Sequence, residues 1–148
     1  MSPFEARTVD RDPVHVRYVE VADDAQAIAT GWASLEDAVG TMRGRRFLAV
    51  IADDRYRACV EQITDVITAE QRLPTLVVPG GTYRRVRLHG EPPGIYEQIA
   101  PAAAFLGEAL DCDPERPILE LYLRRDRVDV LMPVRGGGDA SRPARGRR

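Results

Sequence analysis

The chain has 148 residues, of which 44% are hydrophobic and 30% charged, and these values exclude a wholly disordered, collagen-like or low-complexity protein. This length predicts a single domain that folds without a metal ion or a disulfide. All 21 basic residues are arginines, and residues 1–134 carry 16 of them against 22 acidic residues. Such an acidic body disfavours nucleic acid as a partner and favours cationic ligands.

The apolar segments are too short for a membrane protein. The longest, residues 47–52 and 102–106, fall far below the ~20 residues that span a bilayer. The N-terminus lacks the apolar stretch of a signal peptide. Cys59 and Cys112 stand in no paired or metal-binding spacing, so we expect free thiols. These features predict a cytoplasmic protein without membrane partners.

The first half of the chain predicts a strand, a helix and a strand hairpin. Residues 14–21 are rich in valine and alternate in part. Residues 24–40 predict a helix that starts after acidic capping residues and ends near Gly40. Its apolar residues recur at helical spacing: Ile28, Trp32, Leu35, Val39 and Met42. Residues 46–52 and 55–63 predict two strands joined by a turn.

The second half repeats this order. Residues 82–89 predict a strand and residues 94–110 a helix, in which Pro101 favours a kink or a restart. The apolar side of this helix is formed by Ile95, Ile99, Ala103 or Ala102, Leu106 and Leu110. Residues 117–123 and 128–134 predict a closing hairpin.

The repeated order indicates a duplicated strand-helix-strand-strand unit. We predict an α+β fold in which the units share one antiparallel sheet, with two helices on one face. The predicted domain covers residues 13–134, after an N-terminal extension of residues 1–12. Residues 135–148 are rich in arginine, glycine and proline and predict a disordered tail with at most weak electrostatic contacts to anions such as nucleic acid.

Common catalytic and cofactor motifs are absent from the sequence. His15 and His89 have no second ligand at metal spacing, so we predict no metal site. The serines form no nucleophile elbow, and no glycine-rich phosphate loop is present. We therefore predict no cofactor.

The most informative segment is residues 118–123. On a strand its side chains alternate between faces, so we expect three leucines to pack against the helices: Leu119, Leu121 and Leu123. Ile118, Glu120 and Tyr122 then share the other face. Either Glu120 is an ordinary exposed residue of a solvated face, or it lies in an aromatic groove that attracts organic cations. Desolvation in such a groove would raise its pKa and suit it to act as a general base.

Four segments resemble the GyrI-like small-molecule-binding domain, the effector-binding domain of bacterial transcription activators. They are Pro79-Gly80-Gly81-Thr82-Tyr83 with Leu88-His89-Gly90 and Ile95-Tyr96, Pro117-Ile118-Leu119-Glu120-Leu121-Tyr122, Val128-Asp129-Val130-Leu131-Met132-Pro133-Val134, and Arg55-Tyr56-Arg57-Ala58-Cys59-Val60. These are similar to the family runs "P-x-G-x-Y … H-x-G … I … Y", "P-x-x-E-x-Y", "x-I-x-I-P-V" and "R-Y-D-A-C".

The resemblance implies a ligand groove between the two halves. In it, Glu120 matches the glutamate that faces lipophilic cations in drug-binding members, and four aromatic residues are candidates for the lining: Trp32, Tyr56, Tyr96 and Tyr122. Each aromatic also has a simpler role open to it, in the core or at a helix edge. Two positions depart from the family pattern, where Arg57 replaces an aspartate and Phe105 a tryptophan.

Together with the sequence features, the family resemblance implies three alternative functions. The first is a cytoplasmic protein that senses or sequesters amphipathic cationic drug-like molecules through Glu120. The second is a hydrolase of cyclopropane-bearing cytotoxins, in which Glu120 activates water while Tyr122 or Trp32 holds the substrate. The third is a protein–protein role such as inhibition of DNA gyrase. Too few residues flank the predicted domain for a helix-turn-helix module, so we expect no DNA-binding segment.

Overall fold

A computed structural model describes residues 3–64 and 69–136. The strands are β1 (Ala6–Arg11), β2 (Val14–Ala22), β3 (Phe47–Ala52), β4 (Arg55–Glu61), β5 (Thr75–Val78), β6 (Gly81–His89), β7 (Ile118–Arg124) and β8 (Arg127–Pro133). The helices are α1 (Ala25–Val39), a short 3-10 helix (Ala69–Arg72), α2 (Gly94–Glu97) and α3 (Ile99–Gly107). The predicted disordered tail lies outside the described residues from position 137 onward.

All eight strands form one antiparallel sheet in the order β1-β6-β8-β7-β3-β4-β2-β5. The second half supplies β6-β8-β7 and the first half supplies β3-β4-β2, so the halves join where β7 pairs with β3. Helix α1 packs on the first half and α3 on the second. The α+β fold with a duplicated unit is therefore confirmed.

Two strands of the sheet were not predicted. Strand β1 precedes the first unit but pairs with β6 of the second, and β5 precedes the second unit but pairs with β2 of the first. The strand that precedes each unit thus pairs with the other half of the sheet. Both are edge strands with exposed, partly polar positions, so their hydrophobic alternation is weak.

The sheet is strongly curled. Its inner face holds a core cluster that joins both edges of the sheet: Val16, Leu48, Val50, Cys59, Val78, Tyr83, Leu119, Leu121 and Leu131, with Val9 packed against them. The turn that follows β1 contacts the turn that follows β5. The approach is so close that a Cβ added to Gly80 would lie 2.6 Å from the carbonyl oxygen of Arg11. Only glycine permits this close approach.

The helices cover the outer face of the curl. Helix α1 packs on Ala49, Tyr56, Ala58 and Val60, and α2 and α3 pack on Val86, Leu88, Val128, Val130 and Met132. The expectation that Leu119, Leu121 and Leu123 pack against the helices is wrong. Leu119 and Leu121 lie in the inner core and Leu123 is exposed, so the face of Glu120 is the helix-covered one. Alternation predicts which residues share a face, but not which face the helices cover.

The helices also end earlier than their apolar patterns predict. Asp24 caps α1 by accepting from the Ala27 amide, and Gly40 ends it at a φ of 83°, so Met42 lies beyond the helix and is exposed. The second helix restarts at Gln98, because Pro101 cannot donate to the carbonyl of residue 97. It ends at Gly107, which leaves Leu110 96% exposed.

Two simpler properties complete the fold. Both cysteines are free thiols, and burial raises the pKa of Cys59 to about 12. Across residues 3–64 and 69–136, none of the helices has the length and apolar character to cross a bilayer.

Candidate functional site

The fold brings the five predicted site residues into one cluster on the helix-covered face. Trp32 comes from α1, Tyr56 from β4, Tyr96 from α2, and Glu120 and Tyr122 from β7. Hydrogen bonds and ring contacts link all five. We call the four rings around Glu120 the aromatic cluster.

Strand register sets Glu120 at the join of the two halves. It lies opposite Ala49 of β3 on one side and opposite Val130 of β8 on the other. Ala49 belongs to the core beneath α1, and Val130 to the core beneath α3. The carboxylate therefore lies between two apolar cores. The small side chain of Ala49 beside it leaves room for the larger aromatic side chains.

Close helix packing fixes Trp32 above this point. Its neighbour Gly31 is buried against β2, where an added Cβ would lie 3.1 Å from Cγ1 of Val21. A larger residue there would require Val21 to give way by a few tenths of an ångström. Glycine at position 31 thus allows α1, which carries Trp32, to pack closely on β2.

Hydrogen bonds join three of the aromatic side chains to Glu120. The Trp32 Nε1–H donates to the Tyr56 hydroxyl at 2.8 Å. The hydroxyls of Tyr122 and Tyr56 donate to Oε1 of Glu120 at 2.5 and 3.4 Å, and the two phenol oxygens are 3.3 Å apart. Because the indole occupies an acceptor site of Tyr56, the proton of that phenol is directed toward Glu120 or Tyr122.

The rings pack edge to face around Tyr122. Its centroid lies 5.3 Å from that of Trp32 and 6.4 Å from that of Tyr96. Tyr122 thus connects a ring of the first half to a ring of the second. Tyr56 is 3% exposed and Tyr96 48%, so the cluster runs from the core to the surface.

The surroundings raise the pKa of all three acidic groups in the network, which are Glu120, Tyr56 and Tyr122. Burial raises the pKa of Glu120, hydrogen bonds from Tyr122 and Tyr56 partly oppose this, and the negative charge of Asp23 adds to it. Burial and the adjacent Glu120 also raise the pKa of Tyr56 and of Tyr122. Both phenols therefore remain proton donors throughout the physiological range.

Glu120 has no cationic partner among the residues that the structure describes. It forms no ion pair with them, and both of its hydrogen-bond donors contact Oε1. In the same part of the chain, no group of three or more His, Cys, Asp and Glu side chains is arranged to hold a metal ion. The site therefore presents a partly buried carboxylate whose neighbours are phenols and an indole.

The two departures from the family pattern lie away from the cluster. Arg57 points to the opposite sheet face, where it pairs with Glu20 at 2.7 Å and covers the ring of Tyr18. Phe105 packs on Phe4, with ring centroids 5.7 Å apart. Neither side chain alters the surroundings of Glu120.

Phe47 is a neighbour of the cluster that the sequence motifs did not indicate. Its ring centroid is 6.3 Å from that of Trp32, and it lies opposite Tyr122 in the β3–β7 register. Its place at the start of an apolar strand with the same alternation as Ala49 is a signal for this position. Trp32 itself combines two roles, since it packs on the core beneath α1 and also contacts Glu120's phenol partners.

The aromatic cluster lies apart from two grooves of the described surface. These grooves have volumes of about 740 and 660 Å³, and none of the five site residues lines either of them. Tyr96 lies nearest to solvent and sits on the short helix α2.

Comparison with known proteins yields structural likeness only. No family model and no curated protein match the sequence. An integron cassette protein from Vibrio cholerae has a TM-score of 0.70 at 13% identity, with 89% of this chain and 97% of that one covered. The protein SAV2435, solved with tetraphenylphosphonium, has a TM-score of 0.63 at 14% identity over 92% and 97% of the two chains.

A hydrolase from Listeria innocua is also similar, with a TM-score of 0.51 at 12% identity over 88% of this chain and 91% of that one. At such low identity these likenesses concern the fold and not the function. They extend over nearly the whole of each chain, including both halves of the curled sheet. The chain thus shares its fold with these solved proteins.

Proposed function

We propose that this protein senses or sequesters lipophilic organic cations in a site formed by Glu120 and the aromatic cluster. One observation carries the proposal: Glu120 is a partly buried carboxylate that is surrounded by rings and has no cationic partner among the described residues. A bound cation would supply the missing positive charge.

The rings suit such a ligand. Aromatic faces attract cations through their quadrupoles, by roughly 0.5–2 kcal/mol for each ring. They also bury apolar substituents of the ligand. Trp32, Tyr96 and Tyr122 come from both halves, so a ligand between them would contact both units.

A solved neighbour supports this choice of ligand class. SAV2435 was solved with tetraphenylphosphonium, a lipophilic cation, and shares the fold over 92% of this chain. The acidic balance of residues 1–134 acts in the same direction, since it raises the local concentration of cations.

A matched pair of ions tests the proposal. Tetraphenylphosphonium and tetraphenylborate have nearly the same size and shape but opposite charge. The chain has one tryptophan, so the fluorescence of Trp32 reports binding directly. We expect saturable quenching by the phosphonium ion and at least about tenfold weaker binding of the borate, which corresponds to about 1.4 kcal/mol.

The Glu120→Gln variant removes the charge but keeps the shape. We expect it to weaken phosphonium binding at least tenfold and to reduce the difference between the two ions. Glu36→Gln, an exposed substitution on α1, is the control and should leave both affinities unchanged. Equal affinity of the two ions for the unmodified protein would overturn the proposal.

Hydrolysis is the second candidate, favoured by the raised pKa of Glu120. A carboxylate with a raised pKa is a stronger base, and Oε2 of Glu120, which accepts no hydrogen bond from the described residues, can accept a proton from water. In a cyclopropane substrate, the water oxygen would bond to one ring carbon while a ring C–C bond breaks, and the second carbon would take up a proton.

Mass spectrometry separates the two candidates. Incubation with a cyclopropane-bearing electrophile should give a product heavier by one water if the protein is a hydrolase, and Glu120→Gln should abolish it. Binding without any change in mass supports the sensing or sequestering role. Heat-denatured protein serves as the control for spontaneous hydrolysis.

A further inference from the structure

A groove rich in arginine lies on the second half of the molecule, away from Glu120. It has a volume of about 740 Å³ and runs along β6 beyond the start of β1. Five charged or titratable side chains line it: Glu5, Arg7, Arg85, Arg87 and His89. We call this surface the basic groove. Its positive character contrasts with the acidic balance of residues 1–134.

Strand register places like charges side by side in the basic groove. Arg7 of β1 lies directly opposite Arg85 of β6, and Arg87 follows two positions later on the same face. Like charges directly opposite each other on one sheet face destabilise the pair. The fold therefore maintains an arrangement that costs stability, which is a signature of a binding site.

Among the described residues, the nearby acids leave one guanidinium without a partner. Asp129 accepts two hydrogen bonds from Arg87 at 2.8 Å each, and Glu5 forms an exposed ion pair with Arg7 at 3.3 Å. Arg85 forms no ion pair or hydrogen bond through its side chain with the residues that the structure describes, and its Nε is buried. The buried Nε–H thus lacks an acceptor, which ordinarily costs free energy.

We propose that the basic groove binds an oxyanion group, phosphate or carboxylate, of a small molecule, with Arg85 as the central contact. The guanidinium offers paired N–H donors that fit two oxygens of one such group. An anion there would also neutralise the repulsion between Arg7 and Arg85. The groove has the volume of a typical small-molecule site.

The basic groove is separate from the cation site. Glu120 lies opposite Val130, and Val130 lies opposite Val86, which is the neighbour of Arg85. The two residues are thus two strands apart and on opposite faces of the sheet. Binding at one site can therefore be measured while the other is altered.

Isothermal titration calorimetry on the full chain at low ionic strength tests the proposal. The probes are inorganic pyrophosphate and citrate, with sodium chloride at equal ionic strength as the blank. We expect saturable binding of at least one probe that weakens as salt is added. Tighter binding of pyrophosphate assigns the site to phosphates, and tighter binding of citrate to carboxylates.

Two neighbouring substitutions provide the matched comparison. Arg85→Gln should weaken probe binding at least tenfold, whereas Arg84→Gln removes the same charge on the opposite face, where Arg84 pairs with Asp111, and should change binding less than twofold. Glu120→Gln should also leave it unchanged. Urea unfolding should find Arg85→Gln at least as stable as the unmodified protein, because one of two opposed charges is gone.

Four results would overturn the proposal. The first is the absence of saturable heat with either probe, and the second is an equal effect of Arg84→Gln and Arg85→Gln on binding. The third is binding to a single-stranded oligonucleotide that tightens with its length and exceeds the binding of both small probes, which would assign the groove to nucleic acid. Marked destabilisation by Arg85→Gln would indicate a structural role instead.

Discussion

Two glutamates of this protein are shielded from solvent but have different hydrogen-bond partners. Glu70, on the 3-10 helix, is 1% exposed, and both of its oxygens accept hydrogen bonds from the guanidinium of Arg45 at 2.8 and 2.7 Å. Glu120 has two phenols on one oxygen and no cation among the described residues. One carboxylate is neutralised within the chain and the other is not.

This difference distinguishes a charge that stabilises the fold from a charge that is available to bind a ligand. A buried carboxylate that is paired and fully hydrogen-bonded holds its neighbours in one arrangement. Arg45 also donates to the carbonyl oxygen of Glu61, so this pair ties the 3-10 helix to the end of β4. Phenols stabilise Glu120 without cancelling its charge, which leaves the charge free to attract a ligand.

The largest effect on stability should come from breaking the ion pair between Arg45 and Glu70. Glu70→Gln leaves the Arg45 guanidinium buried without a counter-charge, since the two side chains are only 1% and 6% exposed. We expect the free energy of unfolding to fall by about 3–5 kcal/mol. Urea unfolding monitored by circular dichroism measures it.

A double variant is the control for this prediction. Replacement of both partners by apolar residues, as in Arg45→Met with Glu70→Leu, should recover much of the lost stability because no charge remains buried. A loss below about 1 kcal/mol for Glu70→Gln would place this pair with ordinary surface ion pairs and contradict the comparison.

The second largest effect on stability should come from the phenols that donate hydrogen bonds to Glu120. Tyr56→Phe removes the acceptor of the Trp32 Nε1–H and one donor to Glu120. We expect a loss of about 1–3 kcal/mol in unfolding free energy, from an unsatisfied, partly buried donor. The pKa of Glu120 should rise further, because hydrogen bonds from the tyrosines lower it.

Urea unfolding and the emission maximum of Trp32 measure this change together. Tyr18→Phe is a matched control, since Tyr18 lies on β2 beneath Arg57 and outside the network. A red shift of Trp32 emission for Tyr56→Phe alone would show the indole turning to water. Equal stability losses in the two variants would argue against the network.

A smaller effect should appear in the pH dependence of stability. Because the pKa of Glu120 is raised in the folded state, the native protein binds more protons than the unfolded chain as the pH rises above the ordinary value of 4.5. Stability from this group is therefore greatest at low pH and is lost as the pH rises through the folded pKa.

Glu120→Gln should remove this loss. Relative to the unmodified protein, the variant should gain stability as the pH is raised from below 4.5 to 7. Unfolding curves for both proteins across that range measure the difference. A variant that loses stability relative to the unmodified protein as the pH rises would mean that the folded pKa is lowered and that Glu120 is a structural charge like Glu70.

Local patterns predicted the candidate site better than the structural pair. Glu120 and Tyr122 were found because strand alternation and a short motif act over neighbouring residues. Which face the helices cover depends on how the whole sheet curls, and that was predicted wrongly for Leu119 and Leu121. The Arg45–Glu70 pair joins irregular segments 25 residues apart, where no periodicity acts.

The same reasoning explains the missed strands. β1 and β5 are held by partners of the other half, so their own alternation contributes little. Pro101 and Gly40, in contrast, act through their own backbones. Their effects on the helices were therefore predictable from single residues.

The smallest effect should come from Arg57, one of the two positions at which the sequence departs from the pattern of the family that it resembles. Its side chain is 31% exposed, pairs with Glu20 and covers the ring of Tyr18 on the face opposite Glu120. An ion pair with this exposure contributes less than about 1 kcal/mol. Arg57→Gln should therefore change the unfolding free energy by less than that amount and the tetraphenylphosphonium affinity by less than twofold. Because Arg57 holds the pKa of Glu20 below its usual value, that pKa should rise in the variant, which a carboxyl NMR titration measures. A tenfold change in affinity would show that the two sheet faces are coupled and that the available charge of Glu120 depends on more than its own neighbours.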